Sequence, residues 1–321
     1  MEMQEADLGR AAWALWPALA AQMGEDPGAW HAAPLARRED ARVATVLLRL
    51  DGPDGRVLVL KHQRRPEDGF AEAMSAHLEA MEAYPQGVPA LHALDVEARA
   101  CAMDLAPGQP LSVMLEGTPP EVQAGLLRRA GAWLDGYHRA TLGEARVFQP
   151  KFTLRYLDTV RGEVLDETRE VAQKEQFLAC IETVFVIAAR YEGRQTVTAR
   201  THGDLHLRNL LLDGAGCLGI DFAAGGVVPV GHDIARLLTD YAILHAPQER
   251  IASGEVLPDF AREAFFEGYR LVGPDDPSVG LLLRNRVLAE WWGLPARDAA
   301  RSAAQARRFA RLMALVERVF G

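Results

Sequence analysis

One stretch, Thr201 to Phe222, constrains this chain more than any other: Thr-His-Gly-Asp-Leu-His-Leu-Arg-Asn-Leu-Leu-Leu-Asp-Gly-Ala-Gly-Cys-Leu-Gly-Ile-Asp-Phe. A polar loop from His202 to Asn209 runs into the apolar Leu210 to Leu212, turns at Asp213-Gly214 and returns through Leu218 to Ile220. Two apolar runs joined by an Asp-Gly turn predict a β-hairpin. A hairpin brings Asn209, just before it, and Asp221, just after it, to the same open end. An amide oxygen and a carboxylate there suit Mg²⁺, which takes few protein ligands and completes its shell with phosphate oxygens and water. Asp204, on the loop before the hairpin, is then placed to accept a proton from a hydroxyl facing a γ-phosphate. Taken singly these residues have structural readings: Asp-Gly pairs make turns, and a histidine near a strand is usually a hydrogen-bonded core residue. His202 is accordingly expected to hold the loop, while His206 is left open between facing the site and packing away from it.

The joint pattern resembles the catalytic core of the aminoglycoside phosphotransferase and choline kinase family, distant relatives of the protein kinases. The family's loop reads His-Gly-Asp, four residues, Asn, and later Ile-Asp-Phe or similar; His202-Gly203-Asp204, Asn209 and Ile220-Asp221-Phe222 match it. The resemblance implies an α+β, bilobal protein-kinase-like fold with a small β-rich N-lobe and a larger, mainly helical C-lobe. It implies ATP and Mg²⁺ as cofactors and transfer of the γ-phosphate to a hydroxyl of a small molecule: an amino sugar, an amino alcohol or a sugar. In that scheme Asp204 is the catalytic residue, and Asn209 and Asp221 hold the metal.

The rest of the chain can be laid against this frame. Leu8, Ala11, Ala12, Leu15, Trp16 and Leu19 fall at helical spacing and predict a helix over residues 5–23 with a bend near Pro17, followed by a connection from Gly24 to Pro34. Val43 to Leu50 and Val57 to Lys61 are β-rich runs around Asp51-Gly-Pro-Asp-Gly55. In the family this hairpin covers the nucleotide and Lys61 stands where a lysine neutralises phosphate oxygens. The turn read as entering the first strand, Leu35 to Arg42, has no glycine, whereas a backbone cradle for phosphate generally relies on one. Phe70, Met74, His77, Leu78 and Met81 predict a helix over residues 69–84, from which the family draws a glutamate to orient the lysine; Glu72 is the first choice and Glu79 the second. Residues 87–94 and 98–105 read as strands ending at Ala106-Pro107-Gly108. That ending resembles the family's hinge, with the Asp104 carbonyl and the Ala106 amide as contacts for adenine.

The N-lobe is thus expected over residues 1–103, the hinge over 104–108 and the C-lobe over 109–321. Within the C-lobe, helices are expected over residues 121–139 and 173–191, with Leu142 to Asp166 irregular between them. His138 is read as structural. Asp233, near the start of a helix beginning at His232, is expected to cap free amides and, by the resemblance, to brace the catalytic loop. The last third is helical in period and carries Glu290, Trp291 and Trp292.

Composition narrows the partners. A chain of 321 residues with a net charge of −9 lacks the basic footprint of a nucleic-acid binder. No run approaches a membrane helix, and the apolar Ala11 to Ala21 follows acidic residues rather than the positive start of a signal peptide. Cys101, Cys180 and Cys217 have no metal-site spacing and fit reduced thiols, hence a cytoplasmic protein; the small-molecule acceptor is what the family resemblance implies. The acidic balance, with Trp291 and Trp292 beside Glu290, suggests a cationic amine-bearing acceptor, although paired tryptophans are more often core. Two other classes stand beside this reading: a nucleotide-binding regulatory protein that keeps the fold without turnover, which the glycine-free turn favours, and a protein kinase, which His202-Gly203 disfavours.

Overall fold

In the computed structural model, which describes residues 2–214 and 216–321, the chain forms two units. The first comprises Met1–Gly108 and Leu211–Ala224, the second Gln109–Leu210 and Gly225–Gly321. By its contacts, residues 211–224 therefore cluster with the N-terminal residues rather than with the helical part of the chain.

The first unit begins with α1 (Glu2–Trp13) and α2 (Trp16–Met23), broken just ahead of Pro17. Strands β1 (His31–Glu39), β2 (Ala44–Asp51) and β3 (Val57–Arg65) follow, then α3 (Phe70–Ala83), β4 (Leu91–Asp95) and β5 (Ala100–Asp104). The strands form an antiparallel sheet in the order β1-β2-β3-β5-β4. Alternation decides what each face carries, because successive side chains of a strand point to opposite sides. Ala44, Val46, Leu48 and Leu50 of β2, with Leu58 and Leu60 of β3, pack on Leu8, Ala12, Trp16 and Leu19 of the two helices. Lys61 thereby belongs to the other face, where its register partner Cys101 clusters with Phe70 and Met74 of α3.

Two expectations are corrected here. Residues 31–39, read as a connection followed by a turn, form β1, whose nine residues are all exposed. Such a strand has no buried face to imprint an alternation. Its pairing with β2 is a matter of backbone hydrogen bonds, and Pro34 and the arginines suit a sheet edge.

The second unit opens with a two-residue strand β6 (Gln109–Pro110), α4 (Leu111–Met114) and the long α5 (Pro120–Ala140). Where an irregular stretch was expected, β7 (Leu142–Val147) and α6 (Lys151–Leu165) form instead. Leu157, Val160 and Val164 supply a narrow buried stripe on α6, interrupted by β-branched residues and glycine of low helix propensity. Then come α7 (Lys174–Ala188) and β8 (Gln195–Arg200); the hairpin β9 (Leu210–Leu212) and β10 (Cys217–Gly219) follows in the chain but from residue 211 belongs to the first unit, its turn held by Asp213 Oδ1 accepting the Gly216 N–H at 2.7 Å. Strand β11 (Val227–Pro229) pairs with β8, which also pairs with β7. Helices α8 (Gly231–Leu244), α9 (Asp259–Gly268), α10 (Pro277–Trp292) and α11 (Ala303–Phe320) complete the unit, α9 packing on α5 and α10 on α8. The chain is α+β. Among the described residues no helix is long and apolar enough to cross a membrane.

Candidate active site

In the first unit, Lys61 Nζ donates to Asp221 Oδ1 at 2.6 Å. Burial opposes the charge on Lys61, but the Asp221 carboxylate more than offsets it and holds the ammonium above its ordinary range. Asp221 sits at φ +58°, a left-handed conformation that aspartate tolerates better than most residues, and its side chain is 53% exposed. The glutamate expected from α3 is not brought to Lys61. Phe70, Met74 and His77 form the inward face of that helix, and Glu72 and Glu79 point outward and are exposed. His77 donates through Nε2 to the Pro89 carbonyl at 2.9 Å and packs its ring edge against Phe222. Cys101 is fully buried, and burial pushes its thiol up to about 12. At the end of β5, the Asp104 N–H bonds to the Ala90 carbonyl and the Leu105 N–H to Val57. The Ala106 N–H lies one residue beyond the ladder, while the Asp104 carboxylate holds His92 at 2.7 Å.

In the second unit, β8 delivers the chain into the His202 loop, and Asp233 fixes it. Asp233 Oδ2 accepts the His202 N–H at 2.7 Å and His138 Nε2 at 3.1 Å, and His138 Nδ1 accepts the Tyr269 hydroxyl at 2.9 Å. All of these groups are buried. Burial works against the ionised form of Asp233, yet His138 and the His202 amide hold its carboxyl below the usual range. Asp233 thus braces the loop and His138 is structural, as expected; the helix-capping role is not seen, since no side chain caps α8. Gly203 turns the loop at φ +83°, and the Asp204 N–H reaches back to His202 Nδ1 at 3.3 Å. Asn209 Nδ2 donates to the Asp204 carbonyl at 2.9 Å, which fixes the amide plane and leaves its oxygen outside that bond. Gly225 lets the chain close over the loop, for a Cβ there would lie 2.2 Å from the Thr201 carbonyl oxygen.

The donor chemistry, residue by residue, fits Mg²⁺: an exposed carboxylate at Asp221 and a carboxamide at Asn209 whose nitrogen is already committed. Among the described residues no three His, Cys, Asp or Glu side chains gather into a closed metal cage.

Sequence reasoning missed the residues that surround Asp204. Its Oδ1 is held by the Arg236 guanidinium, and His206 Nε2 stands 3.7 Å from Oδ2. His206 is thereby placed beside Asp204. Asp233, Arg236 and Asp240 fall at i, i+3 and i+7 on α8, a polar stripe on one face that the sequence does display. Asp240 accepts the Leu207 N–H at 3.2 Å and Arg308 at 2.9 Å; Glu290 accepts Arg308 at 2.6 Å and also binds Arg286. Burial disfavours the Glu290 charge, but these two arginines keep its carboxyl below the usual range. Of the tryptophan pair, Trp291 is a core residue and Trp292 is half-buried. Trp291 is buried against Phe177 and donates to the Ala172 carbonyl at 2.9 Å, and Trp292 lies against Phe177 and Tyr156.

Known proteins resemble this chain in fold and family. No curated protein matches the chain by sequence. Among solved structures, it is similar to a choline/ethanolamine kinase family protein from Mesorhizobium loti (18% identity, TM-score 0.60, covering 99% of this chain and 95% of that one). It is similar also to a glucosamine kinase in complex with glucosamine, ADP and inorganic phosphate (14%, 0.58, 93% and 82%) and to the ADP-bound aminoglycoside phosphotransferase APH(2″)-Ib (14%, 0.54, 96% and 99%). At these identities the likeness establishes the protein-kinase-like fold. The model of the phosphotransferase enzyme family APH matches residues 34–279, and the chain belongs to that family.

Proposed function

We propose that this protein transfers the γ-phosphate of ATP to a hydroxyl of a small molecule. The observation that carries the reading is the braced loop, in which Asp204 and Asn209 are held by the Asp233 and His138 network without being consumed by it. Asp204 takes the hydroxyl proton as the oxygen attacks the terminal phosphorus, and the bond to ADP breaks. Asn209 and Asp221 would hold Mg²⁺, which when bound neutralises phosphate charge. Lys61 steadies phosphate oxygens, and the Asp104 carbonyl and Ala106 amide receive the base. The arrangement works by positioning and charge neutralisation, with little covalent work for the protein. The amino sugars, amino alcohols and sugars handled by structurally similar kinases mark the size of acceptor to screen. ATP as the donor and buried free thiols at Cys101 and Cys180 suit a cytoplasmic setting.

One observation favours the alternative of a regulatory nucleotide binder. At the β1–β2 turn, Asp40 Oδ1 accepts the amides of Arg42 and Val43 at 2.7 and 2.8 Å, so a carboxylate occupies the N–H groups that a phosphate cradle would offer. A screen for phosphate transfer from Mg·ATP to amino sugars, amino alcohols, sugars and polyol acids separates the two. ATP binding with no labelled product from any acceptor would favour the regulator.

A further inference from the structure

Beside Asp204, the second unit holds a cavity of about 280 Å³ walled almost entirely by charged side chains. His206 and Arg208 come from the catalytic loop, Arg236 and Asp240 from α8, Arg286 and Glu290 from α10, and Arg308 from α11. The two pairs on α8 and α10 are each spaced i, i+4, so both helices present one charged face to the same space. A larger cavity of about 890 Å³, between α4 and α11, includes neither Asp204 nor Asn209 among its lining residues.

The charges do not balance. Four guanidinium groups stand against the carboxylates of Asp204, Asp240 and Glu290, which leaves one positive charge in excess. Burial lowers the His206 imidazole toward its neutral form, so it cancels nothing. The carboxylates are already taken: Asp240 by Arg308 and the Leu207 amide, Glu290 by Arg308 and Arg286, Asp204 by Arg236. The arginines, three of them in those same pairs, still keep donors that no protein group meets. Arg208 is exposed and makes no ion pair among the described residues, and the buried Nε atoms of Arg236 and Arg286 have no acceptor. A purely structural network leaves few such donors unmet, because each buried unsatisfied donor costs free energy.

We infer that the acceptor carries an anionic group, a carboxylate or a phosphate monoester, and that this group binds in the cavity through Arg208 with Arg236 and Arg286. The inference rests on the phosphotransferase reading and names the acceptor class for it. It also explains a conflict in that reading, since a base paired with Arg236 is poorly disposed to take a proton. An anion entering the cavity offers Arg236 another partner and frees Asp204 as the hydroxyl arrives. A cationic acceptor meets the excess positive charge and finds no free carboxylate.

Calorimetry on the full chain with Mg·ADP present tests this using glycerate, glycerol phosphate, glycerol and aminopropanediol, which share one diol and differ in charge. Inorganic phosphate serves as a probe with no carbon skeleton to misfit. Inorganic phosphate and at least one of the two anionic diols should bind at least about 10-fold more tightly than glycerol or the amine, and which anion leads distinguishes carboxylate from phosphate. Arg208→Ala should weaken anion binding about 10-fold, Arg208→Lys should restore part of it, and Arg297→Ala, which removes a surface arginine paired with Glu170 away from the cavity, should leave it unchanged. Absence of phosphate binding, an unchanged affinity in Arg208→Ala, or amine binding as tight as glycerate would overturn the inference. Transfer from radiolabelled ATP separates the two levels. Anion binding at Arg208 with no labelled acceptor sinks the phosphotransferase reading alone, and labelling that prefers amines sinks the anionic acceptor alone.

Discussion

Lys61 is held by Asp221, 160 residues away in sequence, at 2.6 Å, and not by a glutamate of α3. The sheet puts the lysine on the α3 face, but that helix turns Met74 and His77 inward, so the hairpin after the catalytic loop supplies the counter-charge. Lys61 and Asp221 therefore depend on one another.

Lys61→Ala should weaken Mg·ATP binding by about 1–3 kcal/mol, the scale for a hydrogen bond to a charged group. Asp221→Asn should weaken it as well, by leaving a mostly buried lysine without its carboxylate. Calorimetric titration of both variants checks this, and parent-like affinity in Lys61→Ala would remove that residue from the site.

Asp204→Asn separates chemistry from binding. It should leave Mg·ATP affinity within a few fold and cut kcat at least about 100-fold, the effect of losing a general base. The measurement is a paired titration and rate assay with an acceptor from the screen; full turnover in the variant contradicts the proposed role.

Asp233 carries a stability prediction with a defined sign. Its carboxyl lies below the ordinary range in the folded protein, so the stability it contributes is complete above its unfolded value and is lost as pH falls through the folded one. The melting temperature should hold steady above about pH 5 and decline in acid. Asp233→Ala orphans the His202 N–H and His138 Nε2 and should cost about 1–3 kcal/mol for each donor, with a flatter acid decline. Melting curves from neutral pH into acid on both proteins decide it.

Gly225→Ala tests the closure of the loop. The added methyl would meet the Thr201 carbonyl at 2.2 Å, a backbone atom that cannot swing away. A loss of about 1–3 kcal/mol is expected from overpacking, together with reduced turnover. Stability equal to the parent would show that the loop relaxes freely.

The sequence by itself determined the pieces whose signal is local. The hairpin follows from two apolar runs around Asp213-Gly214, β2 from a run rich in strand-forming residues, and α3 and α5 from helical spacing. The loop motif was legible because Asp204 and Asn209 are five residues apart and joined by their own hydrogen bond. Tertiary structure alone decided the rest. Strand β1 exists through pairing with β2 and buries no side chain, so no periodicity records it. The partner of Lys61, the hold of Arg236 on Asp204, and the meeting of Arg308 with Asp240 and Glu290 join residues from different elements. Spacing along a helix shows which charges share a face, but which charge that face meets depends on how the helices pack, and local pattern carries no term for it.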